Sequence, residues 1–244
     1  MRGYVIGTGY FESSQRDTDF YLKYWLPNTL KYSSPDKIVV VNCASPNRKS
    51  SDIEEWIDLT INPGHTDMMR AIGDASQLGG WTIGFVLGAL YAYSCKCDFV
   101  YKEQDCLAFG KWIEEARKEV SEKGKMMLVG KIPNYQQAEG TELCLVYLKY
   151  EFILPFIVEL FSIARSDAHH FCEYKFLDIM KKTGQIGVFD FGFGGARPFD
   201  ANADVFFIQK PRWWYLEGRE NPVGHSGIPD QEIAALIEKG LLDA

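Results

Sequence analysis

Short apolar runs alternate with amphipathic stretches along most of the chain. Residues 4–8, YVIGT, read as a short buried strand followed by glycine punctuation. From about Gln15 to Tyr32, Phe20, Tyr21, Tyr24, Trp25, Leu26 and Leu30 recur at helical spacing, with Ser13, Ser14 or Asp17 available as caps. Residues 37–42, KIVVVN, are apolar and β-branched from 38 to 41, as expected of a strand covered on both faces. Residues 56–62, WIDLTIN, predict a shorter third strand. Residues 79–95, GGWTIGFVLGALYAYSC, have helix length and are apolar nearly all round, which predicts a buried helix whose Gly84 and Gly88 permit close packing. Residues 97–103, CDFVYKE, give a fourth strand. This order predicts an α/β fold with a mostly parallel sheet flanked by helices, in which ligands sit beyond the carboxyl ends of the strands.

The period changes after residue 105. An exposed helix over 112–124 ends at Gly124, and a strand covers 125–131. Residues 141–150, TELCLVYLKY, fit either a strand or the start of the helix that runs through EFILPFIVELFSIAR. A helix follows from about Ser166 to Lys182, then strands IGVFDF and DVFFIQK around a Gly-rich stretch, and finally a capped amphipathic helix, DQEIAALIEKGLL. With 244 residues, 46% hydrophobic and 14% aromatic, the chain fits a single domain with a sizeable core.

A net charge of −7 argues against a nucleic-acid partner, because phosphate backbones recruit clustered Lys and Arg. A phosphorylated ligand would then need a cation or a local basic cluster. The six cysteines are scattered through apolar segments, as free thiols in a reducing compartment are. Cys95 and Cys97 form C-x-C, and no second Cys/His pair at zinc-finger spacing supports a structural zinc. The longest apolar stretch, YEFILPFIVELFSIA, carries Glu151, Pro155 and Glu159, so no transmembrane segment is expected, and the apolar stretch near residue 1 is too short for a signal peptide. The expected location is cytoplasmic.

The fourth strand runs into CDFVYKEQDC, where Glu103 and Asp105 stand two apart. If the chain stays extended past Tyr101, both carboxylates face one point in the crevice. Such oxygen ligands suit Mg²⁺ or Mn²⁺. Alternatively, Asp105 caps the next helix at a solvated turn. The segment 79–110, GGWTIGFVLGALYAYSCKCDFVYKEQDCLAFG, resembles that of GT-A-fold (Rossmann-like) glycosyltransferases, in which a small-residue helix leads into a strand ending in the acidic D-x-D motif. Here Glu103 replaces the first Asp.

The resemblance implies a metal-dependent glycosyltransferase moving a sugar from a nucleoside diphosphate sugar to a glycan or other hydroxyl acceptor. A nucleotide-binding half would span 1–130 and an acceptor-binding half 131–244. It implies Asp105 on Mn²⁺ or Mg²⁺, with Glu103 on the metal, a metal-bound water or the ribose. Thr8, Gly9 and Tyr10 follow the first strand, where the family holds base and ribose, and Asn42 ends the second strand beside the same pocket. Asp74, before the buried helix, resembles a polar residue placed near the nucleotide, and is otherwise a loop carboxylate. A dinucleotide fingerprint competes over GTGYFE but fails at its third glycine, which is Glu12, and no acid ends the second strand.

An inverting transferase needs a carboxylate to take the acceptor proton. By the resemblance this base lies on the acceptor side, where SDAHHFCEYKF supplies Asp167 and Glu173. Glu173 is preferred, against a reading of Asp167 as a cap and Glu173 as a surface charge; a retaining enzyme needs no such base. His225 is the late histidine that many such enzymes bring to the metal. His169 and His170 are adjacent and would point apart on a helix. Arg197, in the Gly-rich stretch 191–204, would reach a diphosphate from a mobile lid, and Lys210 and Arg212 stand beside Trp213 and Trp214. Two rivals remain: a sugar nucleotidyltransferase, for which the loop after the first strand offers only Arg16, and a non-catalytic carbohydrate- or protein-binding module.

Overall fold

A computed structural model of the chain describes residues 2–12, 14–60, 80–131, 141–164, 172–211 and 227–243, the side chains of residues 131, 164 and 172–174 excepted. The first half builds β1 (Tyr4–Tyr10), α1 (Gln15–Phe20), a π-helical turn (Tyr21–Trp25), α2 (Leu26–Tyr32), β2 (Lys37–Cys43), β3 (Glu54–Leu59), α3 (Gly80–Ser94) and β4 (Asp98–Lys102). The second half adds β5 (Leu107–Phe109), α4 (Trp112–Glu122), β6 (Met127–Lys131), β7 (Thr141–Leu148), α5 (Tyr150–Ala164), α6 (Cys172–Thr183), β8 (Ile186–Val188), β9 (Phe206–Ile208) and α7 (Asp230–Glu238).

The apolar runs become a seven-stranded sheet ordered β3-β2-β1-β4-β7-β6-β8. It is mostly parallel: β7 alone in this sheet runs antiparallel to its neighbours, β4 and β6. The expected α/β architecture is thus present. On one face lie α3, α5 and α6, with Phe85, Phe99, Phe156 and Phe176 in the core. The opposite core gathers Tyr21, Trp25, Phe109, Trp112 and Leu236 from the helices and from the small antiparallel β5–β9 pair.

Strands β2 and β3 extend the sheet to one side of β1, and β4 returns to pair with β1 on the other. The sheet order therefore reverses between β1 and β4, and in open α/β sheets ligands usually sit beyond the carboxyl ends of the strands at such a point. Helix α3 presses closely here: a Cβ on Gly84 would lie 3.1 Å from Gly9 Cα, and one on Gly88 would lie 2.9 Å from the Phe99 ring.

Several local expectations change. The helix expected over 15–32 is three helical pieces, opened by Ser14, whose amide donates to Asp17 Oδ2 at 2.9 Å. Residues 141–148 form a strand paired with β4 and β6, and all eight are buried, a pattern that a buried strand shares with a buried helix. Of IGVFDF only Ile186–Val188 pairs.

Candidate active site

The acidic pair sits at the carboxyl end of β4, beside the reversal of strand order. The chain does not stay extended there. Residues 103–106 form a reverse turn closed by Cys106 N donating to Glu103 O at 3.0 Å, and β5 follows. Helix α4 begins only at Trp112, so Asp105 does not cap it. Main-chain groups fix the turn: Glu103 N donates to Cys144 O at 2.8 Å, and Trp25 Nε1 donates to Glu103 O at 2.7 Å.

What brings the two carboxylates together is Gln209, a residue the sequence did not single out. It follows β9, whose pairing of Ile208 with Leu107 sets it beside the turn. Its Nε2 donates to a Glu103 carboxylate oxygen and, at 3.0 Å, to Asp105 Oδ1. Gln209 is 5% exposed, and its Oε1 is buried without a hydrogen-bond partner. Its main chain is held at both ends: N donates to Gly194 O at 2.8 Å, and O accepts from Arg197 at 2.8 Å.

The two carboxylates are hard oxygen donors of the kind that suits Mg²⁺ or Mn²⁺, and the amide end that faces them is the NH₂ of Gln209, its Oε1 being buried without a partner. Among the described residues, no cluster of three or more His, Cys, Asp or Glu side chains is placed to hold a metal ion.

Beneath the turn, Lys102 is fully buried. Its Nζ donates to Asn28 Oδ1 at 2.7 Å and Thr29 Oγ1 at 2.8 Å, and lies 4.9 Å from the Trp25 ring centre. Burial pushes its pKa down to about 7, against a smaller upward pull from the Cys106 thiol.

The middle residue of the motif joins the two sides of the crevice. Gln104 Oε1 accepts from Phe11 N at 2.8 Å and its Nε2 donates to Phe11 O at 3.1 Å, tying the ends of β1 and β4. Beyond it, Arg48 pairs with Glu12 through two bonds of 3.1 and 3.2 Å, and this pairing holds the Glu12 carboxyl below its ordinary pKa despite partial burial. Glu12 N donates to Ser45 Oγ at 2.8 Å.

The other expected site residues divide. Thr8 and Tyr10 lie within β1, not after it, and at 0% and 1% exposed their side chains are core groups. Gly9 N donates to the Tyr101 hydroxyl at 3.3 Å. Asn42 is occupied as a turn clasp: Nδ2 donates to Ser45 O at 2.6 Å and Asp58 Oδ1 at 2.8 Å, and Oδ1 accepts from Ser45 N at 3.1 Å. Arg197, expected at a diphosphate, is engaged within the fold: it pairs with Glu232 at 2.6 and 2.7 Å and also donates to the carbonyls of Gly194, Ala196 and Gln209. The Gly-rich stretch expected as a lid is tied to β9, with Phe193 N donating to Phe207 O at 2.9 Å and Gly194 bridging Ile208. Glu173 is the second residue of α6, its side chain outside the described set, and Asp74, Asp167 and His225 lie outside the described residues.

The fold and this geometry define an α/β protein with an acidic pair at the reversal point of its sheet. No protein-family model and no curated protein matches the chain. Among solved structures it is similar to the apo-form glycosyltransferase GlyE of Streptococcus pneumoniae TIGR4, at 13% identity and TM-score 0.49 over 79% of this chain and 46% of that one. It is also similar to apo mouse xyloside xylosyltransferase 1, at 9% identity and TM-score 0.46 over 84% and 96% of the two chains. A third is a suggested glucose-1-phosphate thymidylyltransferase of Bacillus anthracis in complex with a sucrose, at 10% identity and TM-score 0.45 over 77% and 85%. The chain spans less than half the length of GlyE.

Proposed function

We propose that the chain is a GT-A-like, metal-dependent glycosyltransferase that moves a sugar from a nucleoside diphosphate sugar to a hydroxyl acceptor such as a glycan. The observation that carries this reading is the convergence of the Glu103 and Asp105 carboxylates on one buried amide at the carboxyl end of β4, beside the reversal of strand order.

In this reading Asp105 holds Mn²⁺ or Mg²⁺, Glu103 contacts the ion or the ribose, and His225 is a further ligand. The ion, when bound, neutralises the donor diphosphate that an acidic protein would otherwise repel, and stabilises it as a leaving group. The nucleoside lies over the ends of β1 and β2, beside Phe11, Glu12 and Arg48, and the resemblance alone assigns Asp74 to it. The bond from the anomeric carbon to the diphosphate breaks with its electron pair on the diphosphate, and the acceptor oxygen bonds to that carbon. In an inverting course Glu173, or Asp167, takes the hydroxyl proton. Helix α6 packs on the α3 face of the sheet, where Phe176 meets Trp81 edge-on at 5.5 Å and Trp81 meets Tyr101 at 4.9 Å.

A nucleotidyltransferase reading is less well supported, because Arg16 lies in α1 and pairs with Asp230 at 2.7 Å.

The test is a panel of nucleoside diphosphate sugars with Mn²⁺ or EDTA, reading release of nucleoside diphosphate. One donor should turn over only with metal, and Asp105→Asn should slow it by about 10²–10³-fold. Glu173→Gln should slow transfer by about 10²–10⁴-fold with donor binding retained. Pyrophosphate release from a nucleoside triphosphate and a sugar phosphate would instead identify a nucleotidyltransferase, and binding without turnover a carbohydrate-binding module.

A further inference from the structure

Gln209 has one half of its side chain fully used and the other half unused. The amide nitrogen reaches both acidic side chains, while Oε1 is buried with no donor. Leaving a buried acceptor unsatisfied costs about 1–3 kcal/mol. Neither loose packing nor a mobile backbone explains it, since Gln209 is 95% buried and its main chain is hydrogen-bonded to Gly194 and Arg197. Arg197 is itself anchored to Glu232 of α7, so the residue is built in from two elements.

A carboxamide can present either end by a half-turn about its last torsion. Two carboxylates without a cation accept hydrogen bonds only, so they select the NH₂ end. A divalent cation between the same carboxylates repels that end and selects the oxygen, and glutamine carbonyls are ordinary ligands for hard cations. We infer that Gln209 Oε1 is a neutral oxygen ligand of the ion held by Glu103 and Asp105, and that the NH₂ of the same amide holds the two carboxylates together when no ion is bound. The inference rests on the proposed metal-dependent reading and deepens it by naming a ligand that the acidic motif does not contain. It also links the ion to the C-terminal half of the chain through β9.

The experiment is calorimetric titration of the full chain with Mn²⁺ alone, with folding checked by circular dichroism and thermal melting. Gln209→Leu keeps the volume and removes the oxygen; Gln209→Glu adds a charged oxygen. The expected result is a Kd for Mn²⁺ at least about tenfold weaker in Gln209→Leu. Gln209→Glu is expected to melt below wild type without metal, because three carboxylates then crowd one point, and to recover on adding Mn²⁺ with a Kd no weaker than wild type. Should Gln209→Leu fail to fold, the Gln209→Glu result decides: no recovery with Mn²⁺, or weaker binding, overturns the inference. Equal or tighter Mn²⁺ binding by Gln209→Leu, with binding lost in Asp105→Asn, also overturns it and leaves the metal-dependent reading standing. Absence of Mn²⁺ binding by wild type removes that reading and the inference together.

Discussion

Lys102 stands one residue before the acidic turn, is 0% exposed, and places its ammonium against the neutral oxygens of Asn28 and Thr29. Its folded pKa of about 7 lies below the ordinary 10.5. Between those values the unfolded chain holds a proton that the folded chain has released, so stability from this group climbs as pH rises through that window; below pH 7 the whole penalty of burying the charge applies. Lys102→Met should remove the climb and be the more stable protein below neutrality, by roughly 2–5 kcal/mol. The neighbours tolerate the change, because Asn28 Oδ1 also accepts from Ala108 N at 3.1 Å. Urea midpoints of both proteins at pH 6.5 and 9 test this, since other titrations cancel in the difference, and parallel curves would refute it. At this scale the sequence is partly legible. Glu103 and Asp105 stand out as charges ending an apolar run. Gln209 does not, for it lies 104 residues beyond Asp105 in the chain and only the pairing of β5 with β9 brings it near.

Among the elements, α3 sets the position of β1 at the crevice. Alanine is favoured over glycine in a helix by about 1 kcal/mol, so Gly→Ala at a roomy helix position stabilises. At Gly84 the added Cβ would stand 3.1 Å from the main chain of Gly9, which cannot rotate away. Gly84→Ala is therefore expected to destabilise by about 1–3 kcal/mol, visible as a lower Tm; an unchanged or raised Tm would show that the helix can shift freely on the sheet. The elements legible in the sequence are those with a clear period or length: β2, α3, β4, and α4, which is amphipathic rather than exposed, with Trp112, Ile113, Ala116 and Val120 buried. Strand β7 was ambiguous because its eight buried residues show neither a period of 2 nor one of 3.6. Its antiparallel direction, and the three-residue strands β5 and β9, depend on tertiary pairing that no local pattern records.

In the whole molecule, the strand order and the acidic turn meet at one place: β4 returns to pair with β1, Gln104 joins the two strand ends, and Gln209 reaches over from the C-terminal half to hold both carboxylates. The mostly parallel sheet was legible from the alternation of strands and helices. The local surroundings of Thr8, Tyr10 and Asn42 were not legible, because β1 continues two residues past Thr8 and the Asn42 amide closes its own turn. No helix among the described residues is long and apolar enough to cross a membrane. The central claim, that a divalent ion at Asp105 binds the diphosphate of the donor, is tested most directly by calorimetric titration of the full chain with nucleoside diphosphates in Mn²⁺ and in EDTA. The predicted result is binding of at least one nucleoside diphosphate about tenfold or more tighter with Mn²⁺, a gain of about 1.4 kcal/mol or more that disappears in Asp105→Asn. Equal affinity in Mn²⁺ and EDTA for every nucleoside diphosphate would contradict it.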